Sequence, residues 1–116
     1  LCFVTDYPAS QAALARVNPD ARTAARFELF YDGVELANGF HELVEADEQA
    51  QRFEADNCRR RAQGQPPIRV DRLLLGAMQH GLPDCSGVAV GLDRLLMLRL
   101  GEKDIDRVMS FSLQRC

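Results

Sequence analysis

The chain has 116 residues, 47% hydrophobic and 27% charged, with 14 Lys and Arg against 17 Asp and Glu, for a formal net charge of −3. This is ordinary globular composition, and it excludes a disordered tail, a collagen-like chain and a coiled-coil rod. Mild acidity without a basic block argues against a free-standing nucleic-acid binder, which needs positive charge to displace counterions, and no apolar run is long enough to span a membrane.

The length sets an upper bound of one domain. Leu1 stands where an initiator Met would, so the expectation is a partial domain over residues 1–116, cut from a longer chain. Cys2, Cys58, Cys85 and Cys116 are widely and irregularly spaced, with no Cys-x-x-Cys, and read as reduced thiols of a cytoplasmic protein rather than a metal site or disulfide framework.

In chain order, Leu1 to Thr5 reads as a short strand stopped by Asp6-Tyr7-Pro8. Ala9 to Ala25 is Ala-rich and broken by Asn18-Pro19-Asp20, which suggests short helical turns or a loop. Phe27 to Tyr31 and Val34 to Phe40 flank Asp32-Gly33, a strong hairpin signal because both turn positions need positive φ. Ala46 to Gly64 is a polar helix, with Asp56 and Arg60 spaced for an i,i+4 pair. Asp71 to His80 is a second helix, Ser86 to Gly91 a strand, and Leu92 to Leu100 a largely apolar helix ending at Gly101. A short helix is expected between Asp104 and Phe111. Without regular βαβ alternation, this order predicts an α+β fold with an antiparallel sheet and flanking helices.

A two-residue turn sets Phe30 opposite Glu35 and Glu28 opposite Ala37, placing Glu28, Phe30, Glu35 and Ala37 on one face. Phe27, Leu29, Tyr31, Val34 and Leu36 then share an apolar face expected to be core. Glu28 and Glu35 are diagonal neighbours, roughly 7–8 Å apart, where two acids repel unless solvent or a cation separates them. Mg²⁺ takes one or two carboxylates with phosphate oxygens, so the face is either a Mg²⁺–nucleotide site or simply solvated. A bulge at Gly39 would flip the parity and add Asn38, Phe40 and Glu42, an amide, a ring and an acid suited to an ammonium group. His41 would then point away.

Gly87, Ala89 and Gly91 leave one face of their strand nearly bare, and Val88 and Val90 are expected to pack inward. The bare face suits close approach of a flat ring or a substrate backbone, or tight packing against a helix. Arg94, early in the following helix, suits either phosphate oxygens or a surface pair with an acid such as Asp93. Walker A and Rossmann spacings are absent.

Together, FELFYDGVELANGFHEL and GLPDCSGVAVGLDRLLML resemble the C-terminal part of the catalytic domain of class II lysyl-tRNA synthetases, the second stretch resembling its motif 3. Pro8-Ala9-Ser10-Gln11, ELANGFHEL and Pro83-Asp84-Cys85-Ser86-Gly87-Val88-Ala89 are similar to the branch of that family that modifies translation elongation factor P. The tRNA-charging members typically carry Pro-Thr-Ala in place of Asp84, Cys85 and Ser86, and glycine in place of Ala89. The resemblance implies ATP-dependent activation of lysine or (R)-β-lysine as an adenylate and transfer to a lysine of elongation factor P.

It further implies that Glu28 and Glu35 hold Mg²⁺, that Glu35, Leu36, Gly91 and Arg94 contact ATP, and that Arg94 is the catalytic group. Asn38, Phe40, Glu42, Gly87 and Ala89 would line the amino-acid pocket, with Glu42 on the amine and the Ala89 methyl reshaping the floor. A homodimeric parent is implied as well. Motifs 1 and 2 are missing, so the 116-residue chain alone is expected not to form an adenylate. Two other readings remain open, a fragment of a lysyl-tRNA synthetase acting on tRNA and a non-catalytic synthetase-like interaction module.

Overall fold

In the computed structural model, which describes residues 1–112, four antiparallel strands lie in the order β1-β2-β3-β4. They span Cys2–Pro8 (β1), Thr23–Tyr31 (β2), Val34–His41 (β3) and Ser86–Val90 (β4). Between β3 and β4 run two helices, Ala46–Ala62 (α1) and Arg72–Gln79 (α2), and Leu92–Leu100 (α3) follows β4 directly. Single 3-10 turns cover Ala9–Gln11 and Ile105–Arg107, the latter being all that forms of the expected C-terminal helix. Cys116 lies outside the described residues; Cys2, Cys58 and Cys85 are free thiols. No helix among the described residues is long and apolar enough to cross a membrane.

Local chemistry explains most of these elements. Asp32 and Gly33, at φ 48° and 76°, form the hairpin turn whose twist matches its strands. Asp47 and Glu48 open α1 and Arg59, Arg60 and Arg61 close it, each charge set opposing the helix dipole. Gly64, at φ 70°, ends it, with Gln65 donating to the Arg60 carbonyl at 2.8 Å. Asp71 caps α2 by accepting from the Leu73 and Leu74 amides at 2.9 and 3.0 Å. Gly101, at φ 70°, ends α3 in the same way as Gly64 ends α1. On α1 the acid Asp56 pairs with Arg59, one residue short of the expected partner, because Arg60 donates to the Pro66 carbonyl instead.

The strand register departs from a plain hairpin at one point. Phe30 faces Glu35, but Leu29 faces Ala37, so Leu36 is an extra residue in β3. The expected parity change occurs, at Leu36 rather than at Gly39. Ala37 consequently leaves the Glu28 face, and Leu36 is a buried bulge residue whose carbonyl accepts from the Gly91 amide at 2.9 Å. Gly39 is glycine for another reason: a Cβ there would lie 2.5 Å from the Phe27 ring.

The core is small. Ala12, Ala15 and Ala24 are its centre, with Phe40 packed against them. Val88 and Val90 do not pack inward; they are 58% and 50% exposed, because no helix among the described residues covers their face of β4. Phe3, Leu92, Leu95 and Leu100 are exposed too. The radius of gyration is 17.2 Å, well above the roughly 13 Å of a closed domain of this length. The chain thus forms an open sheet with apolar surface left uncovered.

Candidate active site

The bulge brings the candidate site residues onto one face. Paired residues of antiparallel strands share a face, so Glu28 and Asn38 lie together, as do Arg26 and Phe40, Phe30 and Glu35, Asn38 and Ala89, and Phe40 and Gly87. This joins Glu28, Glu35, Asn38, Phe40, Gly87 and Ala89 as expected, although Glu28 faces Asn38 rather than Ala37.

Glu28 is buried, and each of its carboxylate oxygens has a partner. Its Oε2 accepts from the Tyr7 hydroxyl at 2.6 Å, and its Oε1 pairs with the Arg26 guanidinium. That guanidinium lies 4.5 Å from the Tyr7 ring centre and 5.9 Å from that of Phe40, and also donates to the Gln11 carbonyl at 2.8 Å. Its position between two rings compensates part of its lost hydration. The hydrogen bond to Glu28 holds the Tyr7 phenol above its ordinary pKa, with burial and the Glu28 charge acting in the same direction. Two buried polar atoms on this face, Arg26 Nε and Asn38 Oδ1, have no hydrogen-bond partner among the described residues. Buried donors and acceptors are rarely left so, and these two are points where a ligand would gain most.

Glu35 is partly exposed and tied to α3. The Arg94 guanidinium lies 3.6 Å from its carboxylate and donates to its carbonyl at 2.8 Å. Arg94 therefore pairs across to the hairpin rather than with Asp93. Gly91 leaves the Arg94 side chain room to fold back over it, since a Cβ there would sit 3.3 Å from Arg94 Cδ, slightly closer than ordinary contact. Gly91 is thus a seat for Arg94 as well as the link from β4 to Leu36.

Glu42, just beyond β3, sits over β4. Its Oε1 is 2.5 Å from where a Cβ on Gly87 would stand, so the missing side chain of Gly87 is the space the carboxylate occupies. The Glu42 amide donates to the Cys85 carbonyl at 3.0 Å, and its carbonyl accepts from Arg16 Nε at 2.9 Å. His41 points away, as expected, its Nε2 2.7 Å from Asp84. That contact first, and the Arg16 charge second, hold the Asp84 carboxyl below its ordinary range.

Sequence reasoning missed Tyr7, Arg16 and Arg26. Alternation counted back from Glu28 would have found Arg26. Tyr7 is not reachable in this way, because β1 bulges at Asp6 and runs on through Asp6, Tyr7 and Pro8, where the sequence predicts a stop.

Three carboxylates and two arginines, Arg26 and Arg94, thus border one open sheet face. Glu42 is suited to an amine and Arg94 to an anion. Among the described residues no three or more potential ligands form a cage for a metal ion. A cation shared with phosphate oxygens still fits, because Mg²⁺ needs only one or two protein carboxylates in that case. Glu35 offers an accessible carboxylate, while Glu28 has only the lone pairs that Tyr7 and Arg26 leave.

Comparison with known proteins gives the family. A model of the class II tRNA synthetases (D, K and N) matches residues 1–115. The chain is 54% identical over 114 residues to an elongation factor P–(R)-β-lysine ligase of Klebsiella pneumoniae subsp. pneumoniae, covering 97% of this chain and 35% of that one. For ligases of the same name, identity is 57% over 110 residues in Vibrio campbellii (94% and 34% covered) and 55% over 114 in Vibrio atlanticus (97% and 35%). The chain spans about a third of the length of these relatives.

Proposed function

From the premise that this chain belongs to the class II tRNA synthetase family (D, K and N), we propose that it supplies part of the active site of an ATP-dependent ligase. That ligase activates lysine or (R)-β-lysine and transfers it to a lysine of elongation factor P. The observation that carries the proposal is the seating of Glu42 over Gly87, on the same face as the Glu35–Arg94 pair. An amine site and an anion site on one sheet are what a lysine adenylate requires. The names of the relatives support the acceptor. The segment from Gly81 to Leu98 is assigned as motif 3 of the longer enzyme.

In this scheme Glu42 takes the substrate amine by a charge-assisted hydrogen bond, and Asn38 Oδ1 accepts from an N–H of the same substrate. Gly87 and Ala89 form the floor. Leu36, Gly91 and Arg94 border the nucleotide, and Arg94 offsets the charge that builds as the substrate carboxylate attacks the α-phosphorus and pyrophosphate leaves. Glu35, with the remaining capacity of Glu28, would hold Mg²⁺, which supplies neutralisation of phosphate charge. In the second step the acceptor lysine amine attacks the adenylate carbonyl, AMP departs, and an amide forms. Positioning and electrostatics carry both steps.

The test offers the full-length protein both acceptors, elongation factor P and lysine tRNA, with radiolabelled lysine or (R)-β-lysine and ATP. Label transfer to elongation factor P alone is expected. Transfer to tRNA alone would assign the chain to a tRNA-charging enzyme instead.

A further inference from the structure

Glu42 is held by a closed ring of contacts that no assigned role explains. Its amide donates to the Cys85 carbonyl at 3.0 Å, and Cys85 follows Asp84 in the chain. Asp84 Oδ1 lies 2.9 Å from Arg16 Nη2, and Arg16 Nε returns to the Glu42 carbonyl at 2.9 Å. Both backbone polar groups of Glu42 are therefore fixed by one circuit, and the Asp84–Arg16 ion pair is its only charged link. The Arg16 backbone is itself anchored, its amide donating to the His41 carbonyl at 2.9 Å. His41 Nε2 meets the same Asp84 oxygen from the other side.

We propose that Asp84 is a positioning residue for the substrate amine: with Arg16 it locks the backbone of Glu42 and so aims the carboxylate over Gly87. This rests on the amine-binding role given to Glu42 above. The circuit has a mechanical logic. Glu42 lies past the end of β3, where a single antiparallel bridge to Ala15 takes the place of a continuous ladder, yet its carboxylate must stay in the notch above Gly87. A side chain held only at its tip by a ligand would lose rotamer freedom on every binding event. A clamped backbone removes part of that cost beforehand. The ion pair is partly exposed, so its effect is modest.

The experiment measures amine-dependent ATP–pyrophosphate exchange by the full-length protein, with KM determined separately for (R)-β-lysine, or lysine, and for ATP. Asp84→Asn is expected to raise KM for the amine substrate about three- to fivefold, the range of an exposed ion pair, with kcat and the ATP KM unchanged. Arg16→Gln should raise it at least as much, and the double variant should be no worse than Arg16→Gln alone, since both remove the same link. Additive losses would overturn the proposal, as would a rise in both KM values together with a lowered melting temperature, the signature of a general structural role. If Glu42→Gln raises the amine KM while Asp84→Asn does not, the positioning role fails and the functional reading stands. If the wild-type protein shows no amine-dependent exchange, the functional reading fails and the positioning role with it.

Discussion

Replacing Gly87 by alanine separates binding from folding. The new methyl would stand 2.5 Å from Glu42 Oε1, and ordinary contact begins at 3.4 Å, so the carboxylate oxygen must retreat by about 0.9 Å. Only the flexible end of a side chain is in the way, and Gly87 does not have the left-handed φ that would penalise alanine. The fold therefore loses nothing. Alanine in a strand interior is even expected to gain up to about 1 kcal/mol over glycine. The site loses its aim: a charge-assisted hydrogen bond contributes about 1.5–3 kcal/mol, so its loss raises the amine KM roughly 10- to 100-fold. The assay pairs urea unfolding of the full-length protein with pyrophosphate exchange at varied amine and ATP concentrations. Equal or slightly raised stability with a raised amine KM is expected. An unchanged amine KM in Gly87→Ala, beside a raised one in Glu42→Gln, would refute the seating of Glu42 over Gly87.

Gly39→Ala should behave in the opposite way. Its methyl meets the Phe27 ring at 2.5 Å and the Gly87 carbonyl at 2.9 Å, so crowding between strands costs about 1–3 kcal/mol, visible as a lowered urea midpoint. Asn57→Ala removes a side chain that donates to the Ile68 carbonyl at 2.9 Å and accepts from its amide at 2.7 Å. A loss of about 1–2 kcal/mol is expected in the same assay, since Ile68 is partly solvated. The depressed pKa of Asp84 has a definite sign. Its contribution is present above the ordinary aspartate range and fades as pH falls through the lower folded value, because the folded form binds the proton less readily. Melting curves of Asp84→Asn should lack this part of the acid loss.

The sequence was most legible where local chemistry decides. Asp32-Gly33 dictates its turn, Asp71 its cap and Gly101 its stop, and none of these needs a distant partner. Alternation put Glu28 and Glu35 on one face, and an assumed bulge at Gly39 added Asn38 and Phe40; Asn38 changes face only if the extra residue precedes it, and alternation does not mark which residue that is. Leu36 takes that place, leaving Gly39 to admit the Phe27 ring. The valines of β4 were misjudged because apolar character predicts burial only where a covering element exists. Arg16 was invisible for a different reason. Its loop runs from Ala12 to Arg22 without strand or helix, and its contacts are with residues 26 and 68 positions away. Such contacts leave no periodic trace.

The central claim is that Glu35 and Arg94 form the nucleotide side of this face. Calorimetric titration of Mg²⁺–ATP into the full-length protein and its Glu35→Gln variant tests it most directly. Glu35→Gln leaves the Arg94 bond to the Glu35 carbonyl intact, so the fold should hold while ATP affinity falls at least tenfold. Binding that is equal in both proteins, or absent from both, would contradict the account and favour a synthetase-like module without catalytic function.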